Sequence, residues 1–281
     1  MNNGLSGIKN VIWALAIVAA LIALLIGLIF TFSVRYYGDK QDGTMLLGSG
    51  TQVAAGNGKL SPDDGSYSAQ GSTSAQLNEL PSTQDAGLEY VFGLTFLCDK
   101  TFTGINSYSE IYGGSAAAQI WTDDGTGLPA ASAASTSIVL DDGTRITPAN
   151  AAAIYQPKRL VIYIGSDYLS SATQESFVSG YEQLINSIRS ASSETTIICC
   201  SIASVGSSYP GADSLTPSLI SDANEWIKQV CSDTGVYYAD LASLLNDSNG
   251  CMADEYVSPN GRSIGSSGIA KVVEYFRMHG V

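Results

Sequence analysis

Three short segments place chemically able side chains beside apolar runs. Cys98-Asp99-Lys100 follows the run Tyr90–Leu97, Gly165-Ser166-Asp167 ends the run that starts at Arg159, and Asn260-Gly261-Arg262-Ser263 precedes a stretch of helical periodicity. A hydroxyl nucleophile in such a place would need a base within hydrogen-bond reach and usually a third group to orient that base. The chain holds one histidine, His279, three residues from its end and after a helix expected to run away from these segments. A frayed terminal histidine is the simpler reading. Lys100 could instead serve Ser166 or Ser263 in a serine-lysine dyad, but a neighbouring aspartate raises a lysine's pKa and weakens it as a base.

Other residue clusters carry less chemistry. Asp63-Asp64, Asp123-Asp124 and Asp141-Asp142 each precede a glycine. None has the spaced ligands and closing glutamate of a calcium loop, so they read as solvated turns. Five cysteines, at 98, 199, 200, 231 and 251, include no CxxC pair, which leaves no zinc pattern. A Cys231–Cys251 bridge is open to an extracytoplasmic domain, while buried small thiols are the plainer alternative. No metal and no cofactor are expected.

The elements that must position the three segments follow from periodicity. Tyr90–Leu97, Arg159–Gly165, Thr195–Ala203 and Gly235–Asp240 are short apolar runs of the kind buried on both faces of a parallel sheet. Thr147-Pro148 and Thr216-Pro217 each combine an N-cap with proline at the first helical position. Phe177, Tyr181, Leu184 and Ile188 share one face of a third helix, and Ile269, Val272, Val273 and Phe276 one face of a last. Ser137–Leu140 and Arg145-Ile146 flank a turn and form a hairpin. Alternating strands and helices give a three-layer α/β/α sandwich, flavodoxin-like, with a mainly parallel five-stranded sheet. In such sheets ligands sit at the carboxyl ends of strands, where the three segments fall.

In order and spacing these segments resemble the SGNH (GDSL-like) hydrolase family, including its membrane-anchored bacterial branch. The family's FIGDSxTxG block compares with FLCDKTFTG at Phe96–Gly104, its Gly-x-Asn block with IGSDYL from Ile164, and its last block with Asn260–Gly268. The resemblance runs from about Leu88 to the C-terminus. It implies that Lys100 stands at the nucleophile position, Asp167 at the oxyanion-hole asparagine, Asn260 at the acid and Ser263 at the histidine, with Asp99 and Gly165 flanking them. All four catalytic types are replaced. A carboxylate at Asp167 would put negative charge where negative charge must develop. Lys100 and Asp167, as neighbours in such a site, are expected to face each other as a charge pair that closes the old pocket. Asp99 is expected to bond backbone in the strand-to-helix turn.

Outside this domain, Val11–Phe32 carries no charged residue and is long enough to cross a bilayer as a helix. Trp13 and Tyr36-Tyr37 suit its two interfaces. The run ends in TFSVRYYG without a small-x-small cleavage site, which favours an uncleaved signal anchor over a signal peptide. The expected organisation is a short segment at 1–10, a transmembrane helix at 11–32, a flexible linker at 33–85 rich in Gly, Ser and Thr, and the domain at 86–281. A net charge of −13, from 26 acidic and 13 basic residues, opposes nucleic acid. The sequence therefore points to a single-pass membrane protein with an extracytoplasmic, catalytically inactive SGNH-like domain. Such a domain would be a binding or scaffold module whose partners are envelope polysaccharide or a surface protein. The alternative is an active esterase or acyl-transfer enzyme on cell-envelope glycans with a non-standard nucleophile.

Overall fold

The computed structural model describes residues 76–114, 119–140, 142–211 and 214–281. The chain divides into two units, Met1–Ser68 and Ala69–Val281, and all described residues belong to the second. Among them no helix is long and apolar enough to cross a membrane. The expected span at Val11–Phe32 and the linker up to residue 75 lie outside the described residues.

Eight strands form one sheet, where five were expected. They are β1 (Asn78–Glu79), β2 (Thr95–Cys98), β3 (Gln119–Asp123), β4 (Ile138–Val139), β5 (Arg145–Ile146), β6 (Arg159–Tyr163), β7 (Thr196–Cys200) and β8 (Tyr237–Ala239), in the spatial order β1-β8-β7-β6-β2-β3-β4-β5. Every neighbouring pair is parallel except β3 with β4 and β4 with β5. The difference lies at the edges. The five central strands are the apolar ones, and two-residue pairings extend the sheet on either side: polar β1 beside β8, and the expected β4–β5 hairpin beside β3. Asn78 and Glu79 carry no apolar pattern, although Leu80 beyond them is buried and its N–H reaches Tyr238 O at 2.9 Å. That places part of the compositional linker against β8.

The helices are α1 (Gly87–Phe92), α2 (Gly104–Gly113), α3 (Pro148–Tyr155), α4 (Gln174–Ala191), α5 (Pro217–Thr234), α6 (Leu241–Leu245) and α7 (Ser266–Arg277). The run Tyr90–Leu97, expected to be a strand, is split between the buried end of α1 and β2, with Gly93 between them. Periodicity cannot separate a buried helix end from a buried strand over so few residues. The expected caps are formed: Thr147 accepts from Asn150 N and Thr216 from Leu219 N, each with proline following. Thr173 and Ser176 add a reciprocal capping box to α4. The apolar stripes expected on α4 and α7 are buried. Helices α3, α4 and α5 pack in one group and α1, α2, α6 and α7 in another. Burial of β2 at every position, and of β6 from Leu160 onward, shows that the sheet centre is covered on both faces.

From β2 the chain moves outward to β3, while from β6 it moves the other way to β7 and β8. The two departures leave a crevice between the carboxyl ends of β2 and β6, the switch point where doubly wound sheets bind ligands. Close packing behind this crevice depends on Gly180 in α4. A Cβ there would lie 2.5 Å from backbone atoms of Ala131, in a short helical turn at Ala130–Ser132. Gly180→Ala gains up to about 1 kcal/mol of helix propensity, but a forced backbone shift costs about 1–3 kcal/mol. The substitution is expected to lower the thermal unfolding midpoint; a raised midpoint would show that the turn yields freely.

Candidate functional site

Asp99 ends β2 with its carboxylate fully buried. One oxygen accepts from Thr101 N at 3.0 Å and from the Thr101 hydroxyl; the other accepts from Ser166 N at 3.2 Å and Ser166 Oγ at 2.8 Å. The expected backbone bond in the strand-to-helix turn is therefore present, and a second anchor beyond β6 accompanies it. Burial pushes the Asp99 carboxyl above its ordinary range, the nearby charge of Asp167 adds to this, and the bonds from Thr101 and the Ser166 hydroxyl oppose it. Beneath the turn, Phe102 stacks on Tyr163 with ring centroids 4.6 Å apart, and the Tyr163 hydroxyl accepts from Ala203 N at 2.8 Å. The third segment is tied in by Ile264 N, which donates to Thr101 O at 2.9 Å. The three segments singled out in the sequence thus meet at the switch point.

Their pairing differs from expectation. Lys100 does not pair with Asp167. Its ammonium donates to Gly125 O at 2.8 Å and lies 3.6 Å from Asp123 Oδ2. Asp167 is bound instead by Arg262, whose Nη2 lies 2.8 Å from Oδ1 and 3.1 Å from Ser166 Oγ, while Oδ2 accepts from Leu128 N at 2.9 Å. Asp123 was read as part of a solvated turn, yet it is buried and accepts from Gly125 N at 2.8 Å and Gly127 N at 2.6 Å. Its neighbour Asp124 pairs with Arg145 at the surface. Arg262 and Asp123 are the site residues missed in the sequence. Arg262 stood inside the last block without an assigned role, and the apolar pair Ile120-Trp121 was the available sign that Asp123 ends a strand.

Asn260 and Ser263 bond to each other, Nδ2 to Oγ at 3.0 Å. Asn260 Oδ1 also accepts from Arg262 N and Ser263 N, each at 2.8 Å, and from Ser258 Oγ. They tie a local turn and do not line the cavity at the switch point. That cavity, of about 280 Å³, is bordered by Lys100, Ser166, Asp167, Tyr168, Tyr209 and Arg262. A larger cavity of about 560 Å³ lies beyond β8, beside Lys228 and Asp240, and reaches none of the three segments. His279 stacks on Tyr275 at 4.1 Å and bonds Tyr275 O, at the far end of α7. All five cysteines are free, and Cys98 is buried with its thiol pushed up chiefly by burial. The bridge considered for Cys231 and Cys251 is not formed. Among the described residues no group of His, Cys, Asp and Glu side chains gathers as metal ligands.

Most polar groups of the site are paired within the protein, although Arg262 Nε is buried without a hydrogen-bond partner. The N–H groups of Gly125, Gly127 and Leu128 could stabilise an oxyanion, but each already donates to an aspartate. Ser166 Oγ donates to Asp99 and accepts from Arg262, so one of its two lone pairs is held by a cation. The contacts of Lys100 run to the Gly125 carbonyl and the Asp123 carboxylate.

Two outcomes follow. The unfolded Asp99 carboxyl titrates near pH 4 and the folded one higher, so its contribution to stability is complete below the unfolded value and is lost as pH rises through the folded one. Asp99→Asn lacks that titration. The stability difference, wild type minus Asp99→Asn, is expected to fall as pH rises from below 4 toward neutrality, measured by urea unfolding; a rise would show that the carboxylate form is favoured. Arg262→Ala leaves the buried Asp167 carboxylate without its cation and is expected to cost about 2 kcal/mol, with Asp167→Asn in the same chain recovering part of the loss. Equal loss in the single and double variants would place the effect elsewhere.

Among solved structures, a protein of Slackia heliotrinireducens assigned to the SGNH hydrolases superposes with a TM-score of 0.49 at 13% identity, over 66% of this chain and 97% of that one. A GDSL-like lipase from Bacteroides thetaiotaomicron superposes with a TM-score of 0.45 at 10% identity, over 66% and 85%. A carbohydrate esterase family 3 protein from Talaromyces cellulolyticus gives 0.44 at 12%, over 66% and 93%. No curated protein matches the chain. The GDSL-like Lipase/Acylhydrolase family matches residues 108–261, more than half of the sequence, a span that includes Asp167 and Asn260 but neither Lys100 nor Ser263. The chain belongs to the GDSL-like lipase/acylhydrolase family.

Proposed function

We propose that this domain is a non-hydrolytic member of its family, a binding or scaffold module carried outside the cell membrane on the Val11–Phe32 segment and its linker. The observation that supports it best is the pairing of Lys100 with Asp123 and Gly125 O, which puts a bound ammonium at the position the resemblance assigns to the nucleophile. A protonated, ion-paired amine is neither a nucleophile nor a base. Carboxylates at Asp123 and Asp167 fill donors that an acyl-transfer site needs for its own developing charge. Ser263, at the histidine position, bonds Asn260 and offers no base. Envelope polysaccharide or a surface protein is the partner class that an extracytoplasmic location supplies.

Family membership itself favours the second reading, an active esterase or acyl-transfer enzyme on envelope glycans. Hydrolysis of p-nitrophenyl acetate by the purified full-length chain separates the two. The wild type is expected to give no turnover above the uncatalysed rate. Lys100→Ser alone should also stay inactive, because base and oxyanion donors are still missing. Turnover by the wild type that Ser263→Ala abolishes would overturn the proposal.

A further inference from the structure

The cavity at the switch point carries a layered arrangement of charge. Lys100, Arg262 and Asp167 line it, Asp123 lies behind Lys100 as its ion-pair partner, and the groups differ in depth. The Lys100 side chain is 48% exposed and that of Arg262 30%, whereas their partners Asp123 and Asp167 are 1% and 7% exposed. The negative charges sit behind, bound to backbone N–H groups, and the positive ones face the opening. In a chain of net charge −13, this cavity turns two cations toward solvent. Beside them Tyr168 has φ of +57°, a left-handed conformation unusual for a residue with a side chain. Its hydroxyl donates to Thr126 O at 2.9 Å, and the residue is 62% exposed at the cavity rim. A strained residue kept by a specific hydrogen bond, with an open aromatic face at a cavity, is the kind of feature that ligand contact explains.

We propose that the cavity binds a small organic anion, with its carboxylate or phosphate between Lys100 and Arg262 and its body against Tyr168. The inference rests on the reading of the domain as a binding module and names the ligand class for that same cavity. Both cations retain donors for it. The ammonium of Lys100 has three hydrogens and one short bond, to Gly125 O. Arg262 uses Nη2 toward Ser166 and Asp167, which leaves the Nη1 hydrogens for an incoming oxygen. Because the pocket anions are already bonded within the protein, an added anion meets the cations from the solvent side.

Saturation-transfer NMR and calorimetry on the purified full-length chain test this with D-glucuronate, D-glucose 6-phosphate and neutral D-glucose. Both charged sugars, or one of them, should bind while glucose does not, and comparing the two tells carboxylate from phosphate. Lys100→Gln should weaken binding about tenfold or more, as expected for the loss of a charge-assisted hydrogen bond. Lys100→Arg should retain binding, and Lys228→Gln, in the larger cavity, should leave it unchanged. Added potassium chloride should weaken it. Equal binding of glucose and the charged sugars, no binding of any, or indifference to Lys100→Gln would overturn the inference. Its failure is separable from that of the inactive-enzyme reading, because ester turnover is measured without these ligands.

Discussion

The carboxylate of Asp99 joins two parts of the chain that the sheet alone would leave merely adjacent. Strands β2 and β6 are neighbours, but their exits lead in opposite directions, and nothing in a strand ladder dictates how the two exits lie. Asp99 accepts from Thr101 on its own turn and from both the backbone and the hydroxyl of Ser166 on the other. Each of these buried donors would cost about 1–3 kcal/mol if left unpaired, so the carboxylate is held despite its own burial. From Ser166 the chain of contacts passes to Arg262 and Asp167, and from Asp167 to the backbone of Leu128. The geometry of the site descends from that one buried acid.

A hydrolytic site of this fold and this internal arrangement use the same donors for opposite ends. An acyl-transfer enzyme keeps N–H groups waiting for a charge that exists only in the transition state. Here side-chain oxygens of Asp123 and Asp167 accept from such N–H groups, and Lys100 and Arg262 pair with the same two side chains. The result satisfies those N–H groups within the resting protein. Fold and chemistry part company at this point: membership of a hydrolase family describes the scaffold, and what the site can do depends on the side chains grafted on it.

Much of the scaffold was legible in the linear chain because its signals are local. The Thr-Pro openings of α3 and α5 announce themselves through a cap and a fixed φ, and the stripes of α4 and α7 through a period that burial enforces. Less visible were β1, whose Asn-Glu pair has no pattern of its own, and the division of Tyr90–Leu97 between helix and strand. In both cases what decides the structure is the neighbouring element: β8 supplies partners for β1, and the buried faces of α1 and β2 are equally apolar. The edges of a sheet are read from its partners, and those lie far away in sequence.

At the site the same line can be drawn. The amino-acid order alone indicated that three segments would reach the carboxyl edge of a parallel sheet and that Lys100, Asp167, Asn260 and Ser263 stand in them. Those conclusions need residue identity and strand position and nothing more. It did not determine which cation meets which carboxylate. The expected Lys100–Asp167 pair gave way to Lys100 with Asp123 and Arg262 with Asp167, since pairing among four charges depends on a few ångströms of placement. That placement comes from the turn after β3 and the loop before α7, which local hydrogen bonds shape and tertiary ones such as Ile264 to Thr101 fix in place. Charge partners at a crevice are chosen by distance and burial, and both exist only once the chain has folded.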